Sequence, residues 1–376
     1  MPFMRLAWAW VDLPDFARDR RGIVPIETPE QLKEHLALAI EVELTTVPPY
    51  LFAMYSLADQ DAPAAQLIRS VVTEEMLHAA LIGNLLLAVG GEPRFAETVQ
   101  SIRYPRALPH HIPELIVDLE PCSHELIERV FLTIERPELH DAPPEPDEYQ
   151  SLGQFYHALE LAIERLAAEG DLFRDPQVDR QLSDPASYAP VAFDSETSGG
   201  LIAVTDLASA CRAIETVIHQ GEGVSEDRFA DAEHRELTHY AKFLELADGT
   251  IPLGEIKAVM RSPTASSFPD FVRPVAALAN ALYGFTFELL DRLYGSSPAG
   301  PATVGDLYRS MALLGEVSRY LMSLEADGGE VAGPPFRATA FADPAGAASE
   351  VRRAAAAAGR EHPALRSVLS ELEALG

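Results

Sequence analysis

The chain has 376 residues, 47% of them apolar, enough for one large core or two smaller ones. Its 58 Asp and Glu against 29 Lys and Arg give a formal net charge of -29, a field that repels phosphates and anionic lipids and argues against nucleic acid or a membrane as partner. Cys122 and Cys211 are too few for a disulfide scaffold and have no zinc-ligand spacing, which fits a reducing cytoplasm.

The first ten residues, "MPFMRLAWAW", hold an apolar run that Asp12 ends, too short for a signal core or for the roughly 20 residues that span a bilayer. Thr28, followed by Pro29 and Gln31, is a capping-box start with proline at the first helical position, and predicts a helix over 29–57. A second helix is predicted from near Pro63 until Gly90 and Gly91, which favour left-handed C-terminal geometry, so that the two helices are antiparallel neighbours.

Residues 91–146, proline-rich and ending in "DAPPEPDE", read as a long crossover with short helical pieces. A third helix is expected over about 147–169, then an irregular insert at about 170–204 with room for a short strand or a lid. Asp206 caps a short helix to Gln220, "QGEG" breaks it, and a further helix is expected from about Asp227 to Ala247. After residue 265 the pattern is helical again, with an alanine-rich terminal helix from about 344. The expected organisation is a four-helix bundle over 1–250 and a helical extension over 251–376 packed on it.

Positions three and four apart share a helix face, so periodicity says which polar residues point inward. Glu43 lies on the stripe Leu36, Ile40, Val47 and Met54, while Glu75 and His78 lie on the stripe Val71, Ile82, Leu85 and Val89. The pair Glu75 and His78 is an E-x-x-H, whose spacing lets a carboxylate and an imidazole reach one ion from one face. On the third helix Glu160 and Tyr156 sit at the edge of the stripe Leu152, Phe155, Leu159, Ile163 and Leu166. On the late helix Glu233 and Glu236 are expected to face inward with Tyr240 and Phe243, and Glu236 with His239 makes a second E-x-x-H.

A carboxylate on each of two helices and an E-x-x-H on each of two others is the pattern by which ferritin-like bundles hold two metal ions. Carboxylate and imidazole donors suit iron or manganese, and no thiolate competes. The expected ligands are Glu43, Glu75, His78, Glu160 and His239, with Glu215 or Glu222 as alternatives to Glu236; Glu236 is a ligand or a base, and Tyr50, Tyr156 and Tyr240 are candidate donors or relays beside the metals. Pro48 and Pro49 cannot donate to the carbonyls of Leu44 and Thr45, so the first helix is expected to kink or unwind there and open a cavity beside Glu43.

The blocks "LTTVPPYLFAMYS", "EEMLHAALIGNLLLAVGG", "LGQFYHALELAIERL", "DLASACRAIETVIHQGEG" and "ELTHYAKFLEL" resemble the ferritin-like domain family of iminophenyl-pyruvate dimer synthases, enzymes of bisindole pathways. "MALLGEVSRYLMSL" and "VAGPPFRATAF" resemble its C-terminal blocks, so the likeness covers most of residues 28–342. It implies an all-α ferritin-like fold, a dinuclear metal site and a place in natural-product biosynthesis. It also supports Glu43, Glu75, His78, Glu160 and His239, and draws attention to Glu222.

These readings converge on an oxidoreductase with two iron ions, or manganese, and dioxygen as co-substrate, acting on a small amino-acid- or imine-type substrate, with a homodimer as a reasonable state. Three alternatives stay open: metal-independent coupling of aryl-pyruvate imines, a ferroxidase or dimanganese catalase-like protein, and a scaffold without metal. The insert and the extension argue for the enzyme, since a substrate pocket needs walls and iron storage does not.

Overall fold

The computed structural model describes residues 26–137, 142–189, 199–221, 237–326 and 328–372. Helix α1 (Pro29–Ser56) opens with the expected box: Thr28 Oγ1 accepts from the Gln31 amide at 3.2 Å, and the Gln31 side chain accepts from the Thr28 amide at 3.0 Å. Helix α2 (Pro63–Ala88) ends in a Schellman turn, with Gly90 at φ 77° and the amides of Gly90 and Gly91 donating to Leu87 and Leu86. Thr46 meets Glu75 and Glu43 meets His78, so the two helices run antiparallel.

The crossover contains α3 (Phe95–Ser101) and a two-stranded antiparallel ribbon, β1 (Arg106–Ala107) with β2 (Ile116–Val117). A continuous helical segment follows, made of α4 (His124–Leu126), a π-helical turn (Ile127–Phe131) and α5 (Leu132–Ile134). Helix α6 (Leu152–Glu169) starts later than the sequence suggests, because Ser151 caps it by accepting from the Gln154 amide. Helix α7 (Leu207–Gly221) starts where Asp206 accepts from the Ser209 amide at 2.8 Å. Among the described residues of the insert there is no strand, only single turns of 3-10 helix at Val178–Arg180 and Pro185–Ser187.

Helix α6 packs on α1, α7 on α6, and α7 on α2, which closes a four-helix bundle. Helix α8 (His239–Ala247) lies against α2, α7 and the π-helical turn. It is shorter than the expected helix from Asp227: Thr238 is extended and caps it by accepting from the Ala241 amide at 3.2 Å, so His239 is its first residue. Residues 222–236 lie outside the described residues, and with them Glu222, Glu233 and Glu236.

Of the C-terminal helices α9 (Arg273–Leu293), α10 (Val304–Leu321), α11 (Ala347–Glu361) and α12 (Arg366–Leu372), α10 and α11 pack on α9, and α12 packs on α11. They are tied to the bundle by specific contacts. Asp291 accepts from the amides of Phe95 and Ala96 at the start of α3, and the Tyr294 hydroxyl donates to the Ala80 carbonyl of α2 at 2.8 Å. The close approach requires glycine at position 83, where a Cβ would stand 2.9 Å from Phe95 and 3.1 Å from Tyr294.

Helices α1 and α2 are long and apolar enough to cross a membrane, but 78% and 89% of their apolar windows are buried inside the protein. Helix α1 also passes through Pro48 and Pro49 without interruption, and residues 42–50 are all buried, so the expected unwinding is not seen. A side chain takes up one of the two freed carbonyls. The Thr45 carbonyl, freed by Pro49, accepts from the Tyr104 hydroxyl at 2.8 Å, and the Thr45 and Thr46 hydroxyls donate to the carbonyls of Glu41 and Glu43.

Candidate metal centre

Inside the bundle, five donor groups converge from four segments. Glu43 on α1, Glu75 and His78 on α2, Glu135 just after α5 and His239 on α8 are all at most 3% exposed. They form two triads, Glu43 with Glu75 and His78, and Glu75 with Glu135 and His239, each with its donor atoms within 4.8 Å of one another. Glu75 belongs to both triads. A carboxylate shared between two clusters of carboxylate and imidazole donors could hold two metal ions, and no cysteine takes part.

The helices explain why these side chains meet. The antiparallel register of α1 and α2 sets the Nδ1 of His78 3.3 Å from Oε2 of Glu43, and the Thr46 hydroxyl 2.7 Å from Oε2 of Glu75. Tyr156 of α6 donates its hydroxyl to Oε1 of Glu43. On the other side, Tyr50 of α1 donates to Oε1 of Glu135 at 2.5 Å, while the Nδ1 of His239 lies 2.9 Å from Glu75 and 3.4 Å from Glu135. The two imidazoles stack, with ring centres 5.3 Å apart.

Burial sets the electrostatics. It raises the Glu43 carboxyl to about 7, against the lowering effect of its hydrogen bonds, and it raises Glu75 with help from the neighbouring Glu43 charge. Burial likewise lowers His78 to about 4, leaving that ring neutral at neutral pH with a lone pair to offer. For His239 burial pulls the same way, but the carboxylates of Glu135, Glu74 and Glu75 outweigh it and lift the ring well above the ordinary imidazole value. Its Nδ1 is nonetheless buried without a well-directed hydrogen-bond partner, although two carboxylate oxygens stand close. Clustered carboxylates around such a nitrogen are what a cation at this point would satisfy, so the residues fit a dinuclear site.

Six residues singled out in the sequence thus come together: Glu43, Tyr50, Glu75, His78, Tyr156 and His239. Glu160 and Glu215 do not join them. Tyr156 takes the place on α6 that faces Glu43, and Glu160, one turn on, is half-buried on a side shared with the exposed Glu215, whose charge together with burial raises its pKa. Tyr240 is half-buried beside His239, with no hydrogen bond to the donors among the described residues. The E-x-x-H reading of Glu236 with His239 falls on Glu236, which lies outside the described residues; of that pair the structure describes His239, the first residue of α8.

The sequence reading missed Glu135, Glu74, Lys242 and Gln220. A signal for Glu135 exists: Leu126, Ile127, Val130, Phe131 and Ile134 are buried at helical spacing, and Glu135 stands one turn after Phe131. Glu74 turns away from the centre to hold His239 from behind, its Oε2 lying 2.9 Å from Nε2 and accepting from the Lys242 ammonium. Gln220 does the same for His78, with Oε1 3.0 Å from Nε2.

Comparisons with known proteins agree with this architecture. A family profile described as Ferritin-like matches residues 36–248. A curated protein of Chromobacterium violaceum named 2-imino-3-(indol-3-yl)propanoate dimerase is 24% identical over 363 aligned residues, covering 84% of this chain. The chain spans about a third of that relative's length, 34%. A crystal structure of a ferritin-like protein from Caulobacter vibrioides superposes with a TM-score of 0.60 at 23% identity, covering 82% of this chain and 99% of the other.

Proposed function

The chain belongs to the ferritin-like family, and from that premise we propose that it is a non-haem dimetal oxidoreductase, with iron as the metal, that uses dioxygen to oxidise a small amino-acid- or imine-type substrate in natural-product biosynthesis. The observation that carries the reading is Glu75, a buried carboxylate common to two buried donor triads. The similarity to the 2-imino-3-(indol-3-yl)propanoate dimerase supports the substrate class.

In this reading Glu43 and His78 would hold one ion and Glu135 and His239 the other, with Glu75 serving both. When bound, the pair supplies the electrons through which dioxygen oxidises an organic substrate. The protein's own part is positional. Thr46 fixes the Glu75 carboxylate, and the hydroxyls of Tyr156 and Tyr50 hold a proton against Oε1 of Glu43 and of Glu135. Burial of all five donors excludes bulk water and strengthens each of these contacts.

The dimerase similarity also favours a second reading, in which the bundle confines two aryl imines that couple oxidatively without a metal, the two electrons and two protons lost from the coupling carbons passing to dioxygen. One assay separates the two. Iron-loaded and metal-free protein are given aryl imino acids generated in place from the amino acids, while dioxygen uptake and products are followed. Uptake and product that need iron and vanish in Glu75→Gln support the oxidoreductase. Equal product from metal-free protein overturns it in favour of confinement.

A further inference from the structure

Both histidines of the centre turn Nδ1 inward and Nε2 outward, but the groups behind them differ in charge. Behind His78 stands the neutral amide of Gln220, with Oε1 3.0 Å from Nε2. Behind His239 stands a carboxylate, with Oε2 of Glu74 2.9 Å from Nε2 and the same oxygen accepting from Lys242. Each acceptor takes a hydrogen from Nε2 and so keeps Nδ1 as the nitrogen that faces the centre. Only the carboxylate also pushes electron density into the ring and makes it a stronger donor.

We propose that the two halves of the centre are unequal by construction: Glu74 and Lys242 are positioning residues that make the His239 half the tighter metal site, and Gln220 leaves the His78 half the weaker one. This rests on the dimetal reading given above. The helices make the arrangement. Adjacent residues on a helix point about 100° apart, so Glu75 reaches the centre while Glu74 passes behind the ring. Lys242, three residues after His239, lies on the same face of α8 and donates to the same Glu74 oxygen. The Glu74 and Lys242 side chains are 2% and 1% exposed, and lysine is almost never buried to that degree unless paired. The number of carboxylates points the same way, since the His239 half has Glu75 and Glu135 as donors with Glu74 behind, against Glu43 and Glu75 for the other half.

The test is anaerobic calorimetric titration of the full chain with ferrous ion, the metal alone. Wild type is expected to bind in two resolved steps. Glu74→Gln is expected to weaken the tighter step by about 10- to 100-fold and leave the weaker unchanged, while Gln220→Glu tightens the weaker. If Glu74→Gln fails to fold because Lys242 is stranded, the double variant Glu74→Gln with Lys242→Met removes both charges and is expected to give the same selective loss. A purely structural ion pair would lower stability without separating the two steps. Two steps that move together, or a tighter step indifferent to Glu74→Gln in both backgrounds, overturn the inequality and leave the dimetal reading standing. Absence of ferrous binding by wild type overturns that reading first, and the inequality with it.

Discussion

The two sides of the donor cluster are built in different ways. Glu43, Glu75 and His78 come from α1 and α2, two long, capped, regular helices whose antiparallel register alone brings the donors together. Glu135 and His239 come from short pieces: a helical segment widened by a π turn, and a nine-residue helix that begins at its own ligand candidate behind a threonine cap. The first side is held by packing along whole helices, the second by named polar contacts: Tyr50 on Glu135, Glu74 and Lys242 on His239, and Thr238 at the helix start. Regular helices therefore make the hairpin side tolerant, and the capped side is where single polar substitutions should tell.

The largest expected effect breaks both sides at once. Glu75→Gln removes the shared carboxylate, and the metal content after ferrous loading, read by elemental analysis, is expected to fall to background; retention of two ions per chain would contradict the bridge. Next comes the capped side alone. Lys242→Met leaves the Glu74 carboxylate buried without its ammonium and is expected to lower stability in urea by about 3–5 kcal/mol. The exposed pair of Arg94 and Glu97, with side chains 68% and 73% exposed, serves as contrast: Arg94→Met is expected to change stability by less than about 1 kcal/mol.

A buried carboxyl outside the cluster separates burial from metal chemistry. Burial raises Asp291 to about 7 although two amides donate to it. A folded-state pKa above the unfolded one means the folded chain binds the proton more tightly, so this contribution is complete below the unfolded value near 3.8 and is lost as pH rises through about 7. Between pH 4 and 8, wild type is expected to lose up to about 4 kcal/mol relative to Asp291→Asn, with metal content the same in both; a parallel pH dependence in the variant would contradict it. Smaller still, Thr238→Ala removes the cap ahead of His239 and is expected to cost about 1 kcal/mol in urea unfolding, and to weaken metal binding on the His239 side rather than the His78 side. Glu160→Gln, outside the cluster, is expected to leave metal content unchanged.

The same contrast explains what could be read in advance. The stripe containing Glu43 and the one containing Glu75 and His78 belong to helices of 28 and 26 residues, long enough for period 3.6 to fix which face is buried. The caps at Thr28, Gly90 and Asp206 lie where their residue types placed them, because each satisfies backbone groups locally. Glu160 misled because it sits at the edge of its stripe, where a shift of one turn decides between the core and the half-exposed face. Glu135 lay in a proline-rich crossover whose helical piece is short and π-widened, so no long period marked it. Lys242 and Glu74 were illegible for another reason: each stands at helical spacing from inward residues, but a lone charge beside an apolar stripe is ordinarily solvated, and only the fold shows that the two neutralise one another.

The central claim is that two metal ions share Glu75, and electron paramagnetic resonance of the manganous-loaded protein tests it most directly. At two ions per chain the account predicts the spectrum of an exchange-coupled pair, lost in Glu75→Gln. The hyperfine pattern of isolated manganese in wild type, or no bound manganese, would contradict it.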